Sequence, residues 1–240
     1  MEKISITTII SNTFIIPWNN LFFYSQVLAV PVLILTTVWA IWITLAPYSH
    51  IISYVAFFVY SSAFAYLAIT CHKLILTQDK TVKELISIDI KLFIRFIILA
   101  AIIYIMSTIV KFAIINIYVG FFGEANNTDS AIEIAEYVAY LPSMYVIGRF
   151  CIVFPAIALG YKPTLKWAWK ATRQNHLQIL FIVALFPWAL EIIIYSLYRE
   201  NATLIEQSLL TFLTYISAIL GVFAISLTYK ALYLIEQKKL

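Results

Sequence analysis

The stretch that decides the fold begins at Leu21, ends at Ala46 and reads LFFYSQVLAVPVLILTTVWAIWITLA. None of its side chains is charged, and apolar residues occupy most of its length. A helix that crosses a bilayer needs about 20 predominantly apolar residues, so this stretch is long enough to span one. The sequence therefore predicts a transmembrane helix at this position.

Five more stretches of the chain share this apolar character. Of the 240 residues, 63% are hydrophobic and 12% are charged, whereas a soluble domain has about 45–50% apolar and about 25% charged residues. Since a chain of this size cannot bury so much apolar surface against itself, its surroundings must be lipid. We therefore expect an all-α, polytopic membrane protein with six transmembrane helices. The predicted spans are Leu21–Ala46, Ile51–Cys71, Leu92–Val119, Tyr137–Gly160, Leu177–Tyr198 and Leu209–Leu232.

Basic and acidic residues are separated along the chain in a way that predicts the orientation of the spans. The connections at residues 72–95 and 161–176 contain five and four Lys or Arg residues, and the C-terminal tail adds two more. The loop at residues 120–136 contains no Lys or Arg but four acidic residues. Because cytoplasmic loops of membrane proteins carry an excess of Lys and Arg, both termini are predicted to lie in the cytoplasm.

Three short amphipathic stretches lie next to the spans on this predicted cytoplasmic side. They begin near Ile6, Val82 and Leu165, and each has apolar residues at helical spacing. At the start of the second, Thr81 and Glu84 have the spacing of a capping box, which marks the beginning of a helix. We expect each stretch to form an interfacial helix in the headgroup layer of the membrane.

The third amphipathic stretch carries the strongest signal. Its basic residues share one face of the predicted helix, opposite an apolar stripe. Trp side chains favour the membrane interface and basic side chains favour phosphate, so anionic phospholipids are the predicted partner. The predicted headgroup contacts are Lys166, Trp167, Trp169, Lys170 and Arg173.

The chain is predicted to form one membrane domain over residues 1–240, built from three successive units. Each unit joins an amphipathic stretch to a hairpin of two spans, and the units comprise residues 1–71, 72–160 and 161–240. An Asn followed by a Pro at one common offset relates the first unit to the third, and chance agreement is the alternative explanation.

Arg149 is the charged residue whose place in a span is most informative. An arginine near the centre of a bilayer costs about 2.5–3.5 kcal/mol on insertion scales, so its side chain should face protein or a water-filled cavity. It is therefore a candidate binding site for an anionic group, such as a lipid phosphate or a transported anion. The alternative is a structural clamp that binds a carboxylate, a hydroxyl group or a backbone carbonyl.

Lys111 and Glu191 lie in the third and fifth predicted spans, at similar depth in the outer half of each. Because each charge would be unfavourable alone in hydrocarbon, we predict an interhelical ion pair between them. Such a pair is either architectural or part of a relay for protons or substrate. In the remaining alternative, each side chain extends separately to the outer interface.

Motifs for catalysis and metal binding are missing from the sequence. The histidines are not in an HExxH or similar spacing, and there is no glycine-rich phosphate loop and no dense cluster of carboxylates. We therefore expect no enzymatic activity, no cofactor and no metal. Cys71 and Cys151 have no paired spacing and are expected to be reduced packing residues. The composition also excludes a disordered chain, a disulfide scaffold and a nucleic-acid-binding protein.

One segment resembles a known family. It reads GRFCIVFPAIAL at residues 148–159 and continues as LKWAWKATRQN at residues 165–175. The order of an Arg, an apolar run, Pro-Ala, a short turn and an amphipathic helix with Trp, Thr and Asn is similar to the membrane domain that accompanies some glycerophosphodiester phosphodiesterases, and to related stand-alone inner-membrane proteins of bacteria. The resemblance implies a protein of the bacterial cytoplasmic membrane in which Arg149 and the amphipathic helix matter. These 240 residues contain no phosphodiesterase domain, so no catalytic activity is implied.

Two hypotheses for the function follow. The first is a non-enzymatic membrane module that binds lipid or partners, which the basic amphipathic stretches favour. The second is a small transporter for an anionic or amphiphilic solute, which would use Arg149, Lys111 and Glu191. Charges that line one water-filled cavity would favour transport, whereas charges that are paired in a dry core would favour the binding module.

Overall fold

The computed structural model describes residues 3–45, 50–77, 80–122, 128–198 and 203–237. Within these ranges the protein is helical and has no strand. Six helical stretches in the described residues are long and apolar enough to cross a membrane, as the composition predicts. They are Leu21–Trp42, Ile51–Leu76, Ile90–Phe121, Ile132–Ala158, Arg173–Tyr195 and Glu206–Ile235.

Short helices lie between the long helices of the described residues. A short 3₁₀ turn at Arg173–Asn175 and a π-helical segment at Leu180–Leu185 interrupt the fifth span. The α-helices are α1 (Ile6–Asn19), α2 (Leu21–Leu45), α3 (His50–Leu76), α4 (Val82–Ile86), α5 (Ile90–Phe122), α6 (Thr128–Phe150), α7 (Val153–Ala158), α8 (Leu165–Ala171), α9 (His176–Ile179), α10 (Phe186–Tyr195) and α11 (Leu204–Gln237).

Contacts between the long helices show how the bundle is assembled. α5 and α6 form an antiparallel hairpin in which the Ser107 hydroxyl donates to the Ser143 carbonyl at 3.3 Å. α2 and α3 form a second hairpin. α3 and α11 lie side by side, and His72 Nδ1 is 2.8 Å from Ser226 Oγ.

One end of this bundle carries the short helices α4, α7 and α8, and we call it the basic end. There the Tyr66 hydroxyl of α3 donates to the carbonyl of Ile86, at the end of α4. The Trp167 ring of α8 lies 6.3 Å from the Tyr229 ring of α11. The opposite end, where α5 ends and α6 begins, is the acidic end. The predicted capping box is confirmed, because Thr81 and Glu84 bond to each other at the start of α4.

The fourth span, predicted over Tyr137–Gly160, is interrupted. α6 ends at Phe150, a turn follows, and α7 begins at Val153. The break places Pro155 in the first turn of α7, where a missing backbone N–H is tolerated. All six residues of α7 are buried, so this short helix forms part of the core at the basic end.

The fifth span, predicted over Leu177–Tyr198, is also irregular. The π-helical segment lies directly before α10, whose second residue is Pro187. Next to Pro187, Gly221 of α11 has no side chain, and a Cβ there would lie 3.2 Å from the Pro187 Cγ atom. A π-helical segment in a span is often found at a functional site, and this one adjoins the cavity described below.

Candidate functional site

Arg149 lies near the end of α6, one turn before the buried helix α7. Its side chain is 3% exposed, and each of its three nitrogen atoms donates a hydrogen bond. Nε donates to the Thr172 hydroxyl, Nη1 to the Tyr145 hydroxyl at 2.7 Å, and Nη2 to the backbone carbonyl of Trp169. The Thr172 hydroxyl in turn donates to the carbonyl of Ala168 at 2.7 Å.

The aromatic ring of Trp169 covers the guanidinium group. The Arg149 Cζ atom lies 3.8 Å from the centre of this ring. The ring also stacks on Phe150 at 5.7 Å. A cation over the face of a Trp ring is stabilised electrostatically, by up to about 2 kcal/mol when it is shielded from water. Arg149 therefore joins the end of α6 to α8 through neutral acceptors and a ring. This geometry is that of a structural clamp, and an anion site at Arg149 stays a prediction.

The clamp holds α8 with its basic face outward. Ala168 and Thr172 are fully buried beneath the helix, whereas Lys166, Lys170 and Arg173 are exposed. The two predicted interface tryptophans of α8 differ in their environment. Trp169 is 45% exposed above Arg149, and Trp167 is half-buried against Tyr229. The structure thus brings the predicted Arg149 site and the predicted headgroup contacts together as one element.

The predicted ion pair between Lys111 and Glu191 was wrong. Lys111 Nζ instead lies 3.4 Å from Glu136 Oε1, and both side chains are well exposed. The physical reason is that α5 packs along α6, its hairpin partner, whereas α10 packs along α11. Similar depth in two spans did not make those spans neighbours.

Glu191 faces a cavity of about 480 Å³ between α3, α5, the fourth span, α10 and α11. The wall is largely apolar and aromatic, and no Lys or Arg of the described residues contributes to it. Phe57, Tyr60 and Phe64 line it on α3. Toward the basic end it is bounded by His72, Phe96 and Phe154, of which the two Phe rings lie 4.5 Å apart. Sequence patterns single out Glu191 but not this cavity, because its walls come from distant parts of the chain.

A second cavity, of about 520 Å³, lies at the basic end. Its polar lining includes Lys80, from the connection between α3 and α4, and Lys230, from α11. Asn20 contributes an amide, and apolar residues of α1, α2, α3 and α11 form the rest of the wall. Hydrogen bonds from the Thr81 backbone and hydroxyl lower the pKa of the nearby Glu84 carboxyl. No spacing rule in the sequence joins the two lysines, so this basic pocket was missed.

No group of three or more His, Cys, Asp or Glu side chains that could hold a metal occurs in the described part of the chain. Both cysteines, Cys71 and Cys151, are buried as free thiols. The chain matches no family model, and no curated protein or solved structure shows significant similarity to it. The resemblance to membrane domains of glycerophosphodiester phosphodiesterases therefore stays a prediction.

Proposed function

We propose that the protein is a non-enzymatic membrane module that binds anionic phospholipid at its basic end. The observation that carries this proposal is the position of α8, whose cations are exposed while Arg149 fixes its buried face to α6. A helix held in this way presents Lys166 and Lys170, and positions Arg173 directly after it, without further ordering. Each Lys or Arg near an anionic membrane surface contributes about 1 kcal/mol of attraction.

The basic pocket supports the same function. Basic pockets between transmembrane helices bind phospholipid headgroups, and this one combines Lys80 and Lys230 with an apolar wall. A lipid phosphate near the two lysines would leave the acyl chains against that wall.

The same proposal includes a location. We place the protein in the bacterial cytoplasmic membrane with the basic end in the cytoplasm, because the Lys-rich and Arg-rich connections lie at that end. Replacing Lys162 by Cys in a Cys71→Ala/Cys151→Ala background tests the orientation. A membrane-impermeant thiol reagent should label that cysteine in inverted membrane vesicles and not in intact cells, and the reverse pattern would reject the orientation.

Lipid binding is tested by native mass spectrometry of the detergent-released protein after addition of phosphatidylglycerol. The variant K166Q/K170Q/R173Q should bind this lipid about a hundredfold more weakly than the wild type, because three attractions of about 1 kcal/mol each are lost. The matched control K83Q/K91Q/R95Q removes the same charge at the same end and should retain clearly more. Equal losses in both variants would show that only total charge matters, and would reject α8 as the binding element.

The alternative function, transport of an anionic or amphiphilic solute, required Arg149, Lys111 and Glu191 to line one cavity. Of these three, only Glu191 contributes to the cavity of about 480 Å³, which we call the central cavity. Arg149 is engaged with α8, and Lys111 with Glu136. We therefore favour the binding module.

A further inference from the structure

Glu191 is an acidic side chain inside a span that carries no adjacent compensating charge. It lies in α10, within the apolar stretch Arg173–Tyr195. The described residues offer it no salt bridge. An ionisable residue in a span is unfavourable unless it is paired or binds a ligand. Lys111, the partner that the sequence predicts for Glu191, is paired with Glu136 instead. Glu191 is therefore available to a ligand.

The chemistry of the surrounding cavity specifies the charge of that ligand. Glu191 supplies a carboxylate, and Phe57, Tyr60 and Phe64 supply aromatic rings to the same cavity. Aromatic faces attract cations, most strongly where water is excluded. An anion would meet repulsion from Glu191 and no Lys or Arg among the described residues that line the wall.

The size and position of the cavity specify the rest of the ligand. Its volume of about 480 Å³ lies within the range of about 300–1,000 Å³ that small-molecule sites occupy. Most of the remaining wall is apolar, so the uncharged part of the ligand should have no hydrogen-bonding groups. Phe57 and Phe64 are 56% and 36% exposed, so the part of the cavity wall that they form reaches the surface of the bundle.

We propose that the central cavity binds an amphiphilic organic cation. The positive charge lies at Glu191, and the apolar body lies among the rings of α3 and the small residues of α11. Two sources offer this chemistry, namely a free organic cation with an apolar body and the ammonium group of a zwitterionic phospholipid. The site lies apart from the basic face of α8, and the inference does not depend on the proposed function.

The test uses tetraphenylphosphonium and the full chain in dodecyl maltoside micelles, which carry no charge. Equilibrium dialysis should show saturable binding of one equivalent to the wild type. Glu191→Gln keeps the size of the side chain, and we expect about a tenfold or greater rise in Kd from loss of the charge. The matched control Glu133→Gln removes an exposed carboxylate of α6 at the acidic end and should bind like the wild type.

A second variant and a neutral competitor keep the test independent of folding. Phe64→Leu retains the charge and most of the volume, and should raise Kd several-fold through loss of one aromatic face. Triphenylphosphine oxide, which is apolar and uncharged, should compete poorly. Any one of four results would overturn the proposal. They are no saturable binding to the wild type, wild-type affinity of Glu191→Gln, an equal loss of affinity with Glu133→Gln, and equal competition by the neutral compound.

A further arm separates the two sources of the cation. Phosphatidylethanolamine added to the micelles should raise the apparent Kd of the wild type for tetraphenylphosphonium if a lipid ammonium group occupies the site. Phosphatidylglycerol serves as the lipid control, because it has no ammonium group. Competition by phosphatidylethanolamine alone assigns the site to the zwitterionic lipid, and binding unaffected by either lipid assigns it to a free cation. The K166Q/K170Q/R173Q variant should bind tetraphenylphosphonium like the wild type. This expectation holds whether or not the variant binds less phosphatidylglycerol, so failure of the proposed function would leave this inference standing.

Discussion

Arg149 and Glu191 are both charged residues within spans, but their surroundings are opposite in character. Every nitrogen of Arg149 donates a hydrogen bond, and a ring covers its face. Glu191 lines a cavity and has no salt bridge within the described residues. In an 18-residue apolar stretch of the fourth span that contains Arg149, 67% of the residues are buried, whereas the corresponding share in the fifth span is 28%. The comparison shows that two charged residues within spans can differ in environment: one has hydrogen-bond partners for every nitrogen, and the other lines a cavity.

Replacing Arg149 by Leu should give the largest loss of stability. The substitution removes three hydrogen bonds from a charged group and leaves the Trp169 carbonyl without its partner. Hydrogen bonds to charged groups contribute about 1.5–3 kcal/mol each, and the desolvation of the guanidinium offsets part of that sum. We expect the free energy of unfolding to fall by about 3 kcal/mol, which corresponds to a decrease in Tm of about 10 °C.

The buried cysteines of the chain provide the measurement. Cys71 and Cys151 are 0% and 8% exposed, so a thiol-reactive dye reports unfolding when they become accessible. Arg95→Leu is the matched control, because Arg95 is half-buried at the start of α5 and has no salt bridge in the described structure. A melting curve of Arg149→Leu that coincides with that of the Arg95 variant would contradict the clamp.

Replacing Gly221 by Val should give the next largest loss of stability. Gly221 lines the same cavity as Glu191. A Cβ at this position would lie 3.2 Å from Pro187 Cγ and would force α10 and α11 apart. Overpacking of this kind destabilises by about 1–3 kcal/mol. Gly120→Val is the control, because no atom lies within 4 Å of a Cβ built there. The same dye assay should show a lower Tm only for the Gly221 variant, and equal melting of the two would contradict the close contact.

Local patterns in the sequence were sufficient for the parts of this fold that depend on neighbours along the chain. The six spans follow from apolar length, and the start of α4 follows from the three-residue spacing of Thr81 and Glu84. The partner of Lys111 depends instead on which helices are adjacent, and depth alone does not determine adjacency. The break before α7 and the π-helical segment before Pro187 likewise depend on packing against other helices. The sequence identified Arg149 and Glu191 as unusual, but their surroundings depend on the packing of distant helices, which local patterns do not encode.

Replacing Glu191 by Gln should change stability in the direction opposite to the Arg149 variant. Removal of a carboxylate that has no cation beside it relieves an unfavourable charge in a span, so we expect a gain of about 1 kcal/mol in the free energy of unfolding. The dye assay in micelles without added cation should show a slightly higher Tm. A lower Tm would mean that Glu191 has a structural partner, and the contrast with Arg149 would then be lost.

The smallest expected effect is at Lys111. It tests whether Lys111 pairs with Glu191, as the sequence predicts, or with Glu136, as in the structure. Exposed ion pairs contribute about 0.2–1 kcal/mol, so Lys111→Gln should lower the free energy of unfolding by less than about 0.5 kcal/mol. In a double-mutant cycle, Lys111→Gln and Glu136→Gln should show weak coupling that decreases with added salt, because the two side chains lie 3.4 Å apart at the surface. Lys111→Gln and Glu191→Gln should instead be additive, because their helices pack against different neighbours. Coupling confined to the second cycle would restore the ion pair between spans, and Glu191 would then be satisfied as Arg149 is.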